Sequence, residues 1–148
     1  MDVQSDFKDL LELFNKHDVK YLIVGGYALA FLGAPRMTGD MDLFVEASQS
    51  NAQKIMDALD EFGFGKVGLS ANDFIQPEKV IQLGVPPVRV DIITTLSGVS
   101  WEEAYGSREQ GQYGEVPVFY INKKLFLSNK RAIGRKKDEA DIESLQEE

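Results

Sequence analysis

The feature that most restricts this chain is a pair of short apolar runs that each carry aspartate: "DMDLFV" at 40–45 and "VRVDII" at 88–93. Side chains alternate across a strand, so Asp40 and Asp42 share one face while Met41, Leu43 and Val45 share the other. In the second run Val90 and Ile92 oppose Asp91. A carboxylate inside such a strand is costly unless something compensates it. Two carboxylates held side by side also repel, and one takes up a proton unless a cation intervenes. Hard divalent cations such as Mg2+ are commonly bound through one or two carboxylates plus substrate phosphates. Three acids on neighbouring strands could hold two such ions, which clamp the attacking and leaving oxygens of a phosphoryl displacement. The plainer alternatives are that Asp40 ends a loop, that Asp42 is a solvated edge residue, and that Asp91 pairs with Arg89 or caps a strand end.

Upstream, "KYLIVGG" is a buried strand that stops at Gly25-Gly26, and a helix is expected from about Tyr27 to Leu32. Free amides at a strand-to-helix turn attract phosphate, and glycine lets the backbone come close. The glycine spacing matches neither the dinucleotide fingerprint nor the P-loop. That argues against a Rossmann-type dinucleotide binder, in which an acid pair would moreover repel the pyrophosphate.

The remaining pattern predicts a mixed sheet with helices packed on it, an α/β (α+β) fold in a single domain over 1–148. Phe7, Leu10, Leu11 and Phe14 mark one helix face within residues 3–17. "SQSNAQKIMDALDEFGFG" is a helix capped by Ser48 or Ser50 and stopped near Gly63. "SWEEAYGSRE" is a short helix capped by Ser100, and "EVPVFYI" is a strand. One or two short strands and an irregular connection fill the stretch between residues 66 and 87. A C-terminal helical segment covers about 122–148, as one helix broken near Gly134 or as two.

With 148 residues, 43% of them hydrophobic, the chain can build a real core, and the absence of cysteine excludes disulfides and thiolate chemistry. A net charge of −8 argues against binding bare nucleic acid. No apolar run approaches the roughly 20 residues needed to span a bilayer, and the start reads as an amphipathic helix rather than a signal peptide. A cytoplasmic protein without a membrane partner is expected.

Taken together, "GGYALAFLGAPRMTGDMDLFV" resembles the signature of the nucleotidyltransferase superfamily with the polymerase-beta-type fold: a Gly-Gly pair, a spacer, two acids flanking an apolar residue, and a third acid on a later strand. The Arg in the spacer and the basic tail "NKRAIGRKKDEADIESL" look like the small stand-alone bacterial and archaeal members, which resemble antibiotic-modifying enzymes and the enzyme-like halves of certain toxin–antitoxin pairs. The likeness covers most of the chain, is specific at 20–45, fair at 88–94 and 123–145, and weak at 64–87.

This resemblance implies that Asp40 and Asp42 ligate Mg2+ (or Mn2+) carrying a nucleoside triphosphate. Asp91 would complete a second metal site, where an acceptor hydroxyl loses its proton. The Gly25 and Gly26 amides would cradle the outer phosphates. Arg36, an arginine fork in the loop feeding Asp40, is either a phosphate or acceptor contact or a surface charge, and Thr38 either joins it or braces the loop. Lys130 would reach back to the triphosphate, against the alternative of a solvated helix face. Arg135, Lys137 and Asp141 could form helix-spaced ion pairs. His17 suits a helix C-terminus and Trp101 suits packing. The acceptor is unknown, a small molecule or a protein, and its site would be built from the C-terminal helices or supplied by a second subunit or partner. The alternative to an enzyme is an inactive antitoxin or regulatory module that binds a toxin-like protein.

Overall fold

In the computed structural model, residues 3–34, 39–63, 68–85 and 87–146 are described. A six-stranded mixed sheet runs in the order β3-β4-β2-β1-β6-β5. Its strands are β1 (Tyr21–Val24), β2 (Asp40–Val45), β3 (Val80–Val85), β4 (Val88–Ile93), β5 (Glu109–Tyr113) and β6 (Val116–Tyr120). The central strands β2 and β4 run parallel, with Asp40 opposite Arg89 and Asp42 opposite Asp91. Strand β1 is antiparallel to β2, which sets Val24 beside Asp42.

Helix α1 (Ser5–Lys16) buries Phe7, Leu10, Leu11 and Phe14, the stripe visible in the sequence. A buried side chain of this size contributes roughly 1.5–3 kcal/mol, so this stripe, more than helix propensity, holds α1 in place. Helix α3 (Gln49–Phe62) packs against α1, begins with a Ser48 side-chain cap and ends at Gly63 in left-handed conformation. Met41, Leu43 and Val45 are almost fully buried, which places the core on that face of β2.

Two expectations need correction. Helix α2 (Gly25–Phe31) starts at the glycines rather than at Tyr27. Helix α4 (Trp101–Gly106) has its Ser100 cap but stops early, because residues 109–113 form the edge strand β5, which was not expected. The tail is two helices, as one of the two expectations had it: α5 (Lys123–Ile133) and α6 (Lys136–Gln146) meet at Gly134, whose φ of 73° suits glycine. Between α3 and β3 a 3-10 turn (Ala71–Phe74) forms the irregular connection. No helix among the described residues is long and apolar enough to cross a membrane.

Candidate active site

Asp40, Asp42 and Asp91 come together on two neighbouring strands of one sheet. The parallel register sets Asp42 beside Asp91, one strand spacing of about 4.8 Å away. Alternation along β2 puts Asp40 and Phe44 on the same face as Asp42. Trp101 closes that face beyond the acids: its ring meets Phe44 edge-on at 5.1 Å and stacks on Tyr105 at 5.0 Å. Trp101 is therefore a packing residue.

The crowding has an electrostatic signature. The Asp42 carboxyl is pushed up to about 6, first by burial and then by the charges of Asp91 and Asp40. The positive charges of Lys130 and Arg89 oppose this shift without cancelling it. Asp91, itself buried, is held by a two-pronged fork: Arg89 Nε donates to Oδ1 and Nη2 to Oδ2, both at 3.1 Å. The same guanidinium lies 3.7 Å from Asp40 Oδ2. Its own affinity for a proton is raised, most by the hydrogen bonds to Asp91. The pairing of Asp91 with Arg89, one of the plainer alternatives in the sequence, is thus present.

The Gly-Gly turn stands where the sequence suggested. Gly25 has φ of 67°, and a Cβ on it would overlap Asp42 Oδ2. Only a residue without a side chain lets the head of α2 lie this close to the carboxylate. Val24 offers no side-chain cap to the first amides of α2, and Gly26 is buried in the same turn.

Lys130 is not on a solvated face. Its side chain is 8% exposed, and its ammonium lies 3.3 Å from Asp138 and 3.4 Å from Asp141. It also sits over the Phe126 ring at 5.3 Å. Arg135 donates to Asp138 as well, and that carboxyl is held down at about 2 chiefly by this bond. Arg135, in the turn after α5, thus caps the head of α6, while Lys130 joins α5 to α6 through Asp138 and Asp141. His17 caps the end of α1 near Glu61 and has no place among the acids. Arg36 and Thr38 fall outside the described residues.

No group of three or more acidic or histidine side chains among the described residues is drawn tightly enough to hold a metal ion as it stands. Both oxygens of Asp91 are taken up by the Arg89 fork. The donor set nevertheless fits a hard divalent cation. Asp40 and Asp42 offer oxygen ligands on one face, and the proton affinity of Asp42 is raised first by burial and then by the neighbouring carboxylates, whose charge a cation would relieve. Two surface grooves lie elsewhere, one lined by Asp6, Asp9, Leu13 and Val88, the other by Lys20, Lys54, Tyr105 and Phe119.

The mixed sheet flanked by helices is similar in fold to solved nucleotidyltransferases. Among solved structures, a nucleotidyltransferase candidate from Thermotoga maritima superposes with a TM-score of 0.62 at 16% identity, covering 96% of this chain and 91% of its own. The lincosamide antibiotic adenylyltransferase LnuA, with lincomycin bound, gives 0.56 at 16% identity over 99% of this chain and 98% of its own. An antigenic nucleotidyltransferase-like protein from Paracoccidioides brasiliensis gives 0.55 at 21% identity over 92% of this chain and 70% of its own. No protein-family profile and no curated protein matches the chain.

Proposed function

We propose that the protein transfers a nucleotidyl group from a nucleoside triphosphate to a hydroxyl acceptor, a small molecule or a protein, with Mg2+ or Mn2+ as cofactor. The observation that carries this reading is the convergence of Asp40, Asp42 and Asp91 beside the side-chain-free head of α2 at Gly25. Bound there, the cation would bridge protein to triphosphate and neutralise charge that develops on the phosphate oxygens.

Asp40 and Asp42 would hold the cation, and Asp91 would complete a second metal site once Arg89 gives way. The Gly25 and Gly26 amides would lie against the outer phosphates. The acceptor oxygen forms a bond to the α-phosphorus, the bond to the pyrophosphate oxygen breaks, and the acceptor's proton passes to Asp91. Positioning and charge stabilisation dominate such a transfer. Lys130 supplies positive potential at Asp42, and a direct triphosphate contact requires its ammonium to leave Asp138 and Asp141. Arg36 and Thr38, outside the described residues, are kept as triphosphate contacts on the sequence resemblance alone. The adenylyltransferase among the structural neighbours, solved with lincomycin, supports a small hydroxylated molecule as one class of acceptor.

One observation favours a second reading. The Arg89 fork already neutralises Asp91, as it would in a catalytically weak or inactive antitoxin or regulatory module that associates with a protein partner. Calorimetry with MgATP and the other Mg-nucleoside triphosphates separates the two. The enzyme reading expects binding that disappears in an Asp40→Asn/Asp42→Asn variant, and pyrophosphate release once an acceptor is supplied. Absence of binding by every nucleotide, with stable association to a protein partner, would establish the second reading instead.

A further inference from the structure

Arg89 drew no functional role in the sequence, yet among the described residues it pairs with Asp91 and lies near Asp40. Its fork spans both oxygens of Asp91 at 3.1 Å, and its Nε lies 3.7 Å from Asp40. Planar two-pronged pairs of this kind are the strong form of the arginine–carboxylate interaction. Asp91 is 12% exposed at its side chain, so the pair is poorly screened by water, while the guanidinium is 31% exposed and can swing toward solvent.

We propose that Arg89 is a built-in counter-ion that occupies the charge position of a second metal at Asp91, so that the nucleotide-free protein takes one divalent ion, at Asp40 and Asp42, and Asp91 is released only when Arg89 finds another anion. The inference rests on the transferase reading and specifies how that site is regulated. A guanidinium matches phosphate oxygens as well as it matches a carboxylate. An incoming triphosphate at Asp40 and Asp42 therefore offers Arg89 a second partner a short distance away. Transfer of the fork from Asp91 to phosphate frees the carboxylate that accepts the acceptor's proton. The nucleotide then binds before the acceptor is activated, and an empty site cannot deprotonate a hydroxyl unproductively. The register gives a reason for the position: Arg89 faces Asp40 across the β2–β4 pairing, two residues from Asp91, so one side chain reaches both acids.

The test counts bound Mn2+ by electron paramagnetic resonance on chelator-treated protein without nucleotide. Wild type, Arg89→Met, Arg89→Lys and Asp42→Asn are compared, with folding checked by circular dichroism melting. The proposal expects one Mn2+ per chain in wild type, and in Arg89→Met either two ions or an affinity higher by about tenfold or more, the scale of losing one nearby like charge. Arg89→Lys keeps the charge but not the fork; it should fall between them, and it carries the test if Arg89→Met does not fold. Equal stoichiometry and affinity in wild type and the Arg89 variants would overturn the gate while leaving the metal site standing. Binding that persists unchanged in Asp42→Asn would instead overturn the transferase reading on which the gate depends.

Discussion

Gly25 lies directly against the carboxylate of Asp42, so close that a methyl group in place of its hydrogen would overlap Asp42 Oδ2. The first turn of α2 and the acid of β2 therefore form one unit, and neither can change without moving the other. Gly25→Ala should suffer twice, from the collision and from a φ of 67° that alanine adopts only at a cost. A loss of about 2–3 kcal/mol is expected. Thermal denaturation measures it, and Gly39→Ala, where a Cβ meets nothing within 4 Å, is the control.

Asp42 works against the stability of the metal-free protein. Burial and two neighbouring carboxylates act on it, and among the described residues Lys130 and Arg89 oppose them. Asp42→Asn should raise the melting temperature in chelator at neutral pH, by a stabilisation of roughly 1–2 kcal/mol. The same variant should lose any rise in melting temperature that Mg2+ gives wild type. A melting temperature in chelator below that of wild type would count against like-charge crowding at the site.

The clamp between α5 and α6 sets a second, acidic limit on stability. Asp138 is held at about 2 in the folded chain against an ordinary value of 3.8. A depressed carboxyl contributes stability that is complete above the unfolded value and is lost as pH falls through the folded one. Wild type should therefore lose this contribution between about pH 4 and pH 2. Asp138→Asn should lack that part of the acid dependence. At pH 7 it should be less stable by about 2–3 kcal/mol, somewhat under the usual cost of orphaning a buried charge because Asp141 still faces Lys130. Urea denaturation across this pH range gives both numbers.

Trp101 offers a way to separate packing from recognition. It wedges between Phe44 and Tyr105, so Trp101→Ala should cost about 3 kcal/mol of stability. Nucleotide affinity, measured at a temperature where the variant is folded, should change by less than about threefold. A much larger loss would mean that the indole touches the base.

The central strands were readable because their residues satisfy two demands at once. Met41, Leu43 and Val45 announce a buried face, and the aspartates between them announce a second purpose for the other face. The edge strand β5 was not readable, because "EQGQY" has little apolar content and buries only Tyr113. Its place comes from a long-range fit: Gly111 leaves room for Phe31 and Tyr120, whose rings stack at 4.0 Å. Lys130 illustrates the same limit. A charge run on a terminal helix looks solvated until α6 folds back and delivers Asp138 and Asp141 to it. Arg89 could have been singled out by its spacing, since an arginine two residues before an in-strand acid shares its face.

The sheet order places β4 and β2, which carry the acids, in the interior, with β3 bordering one side and β6 and β5 lying beyond β1 on the other. Fraying begins at margins, so the outer ribbons can open and close while the inner pair stays paired. Slow amide exchange should therefore persist along 40–45 and 88–93 after it has been lost from 109–113. The clustered acids and the first ribbons to open thus lie in different parts of one sheet, and a border strand could peel back without disturbing the Asp42–Asp91 pairing.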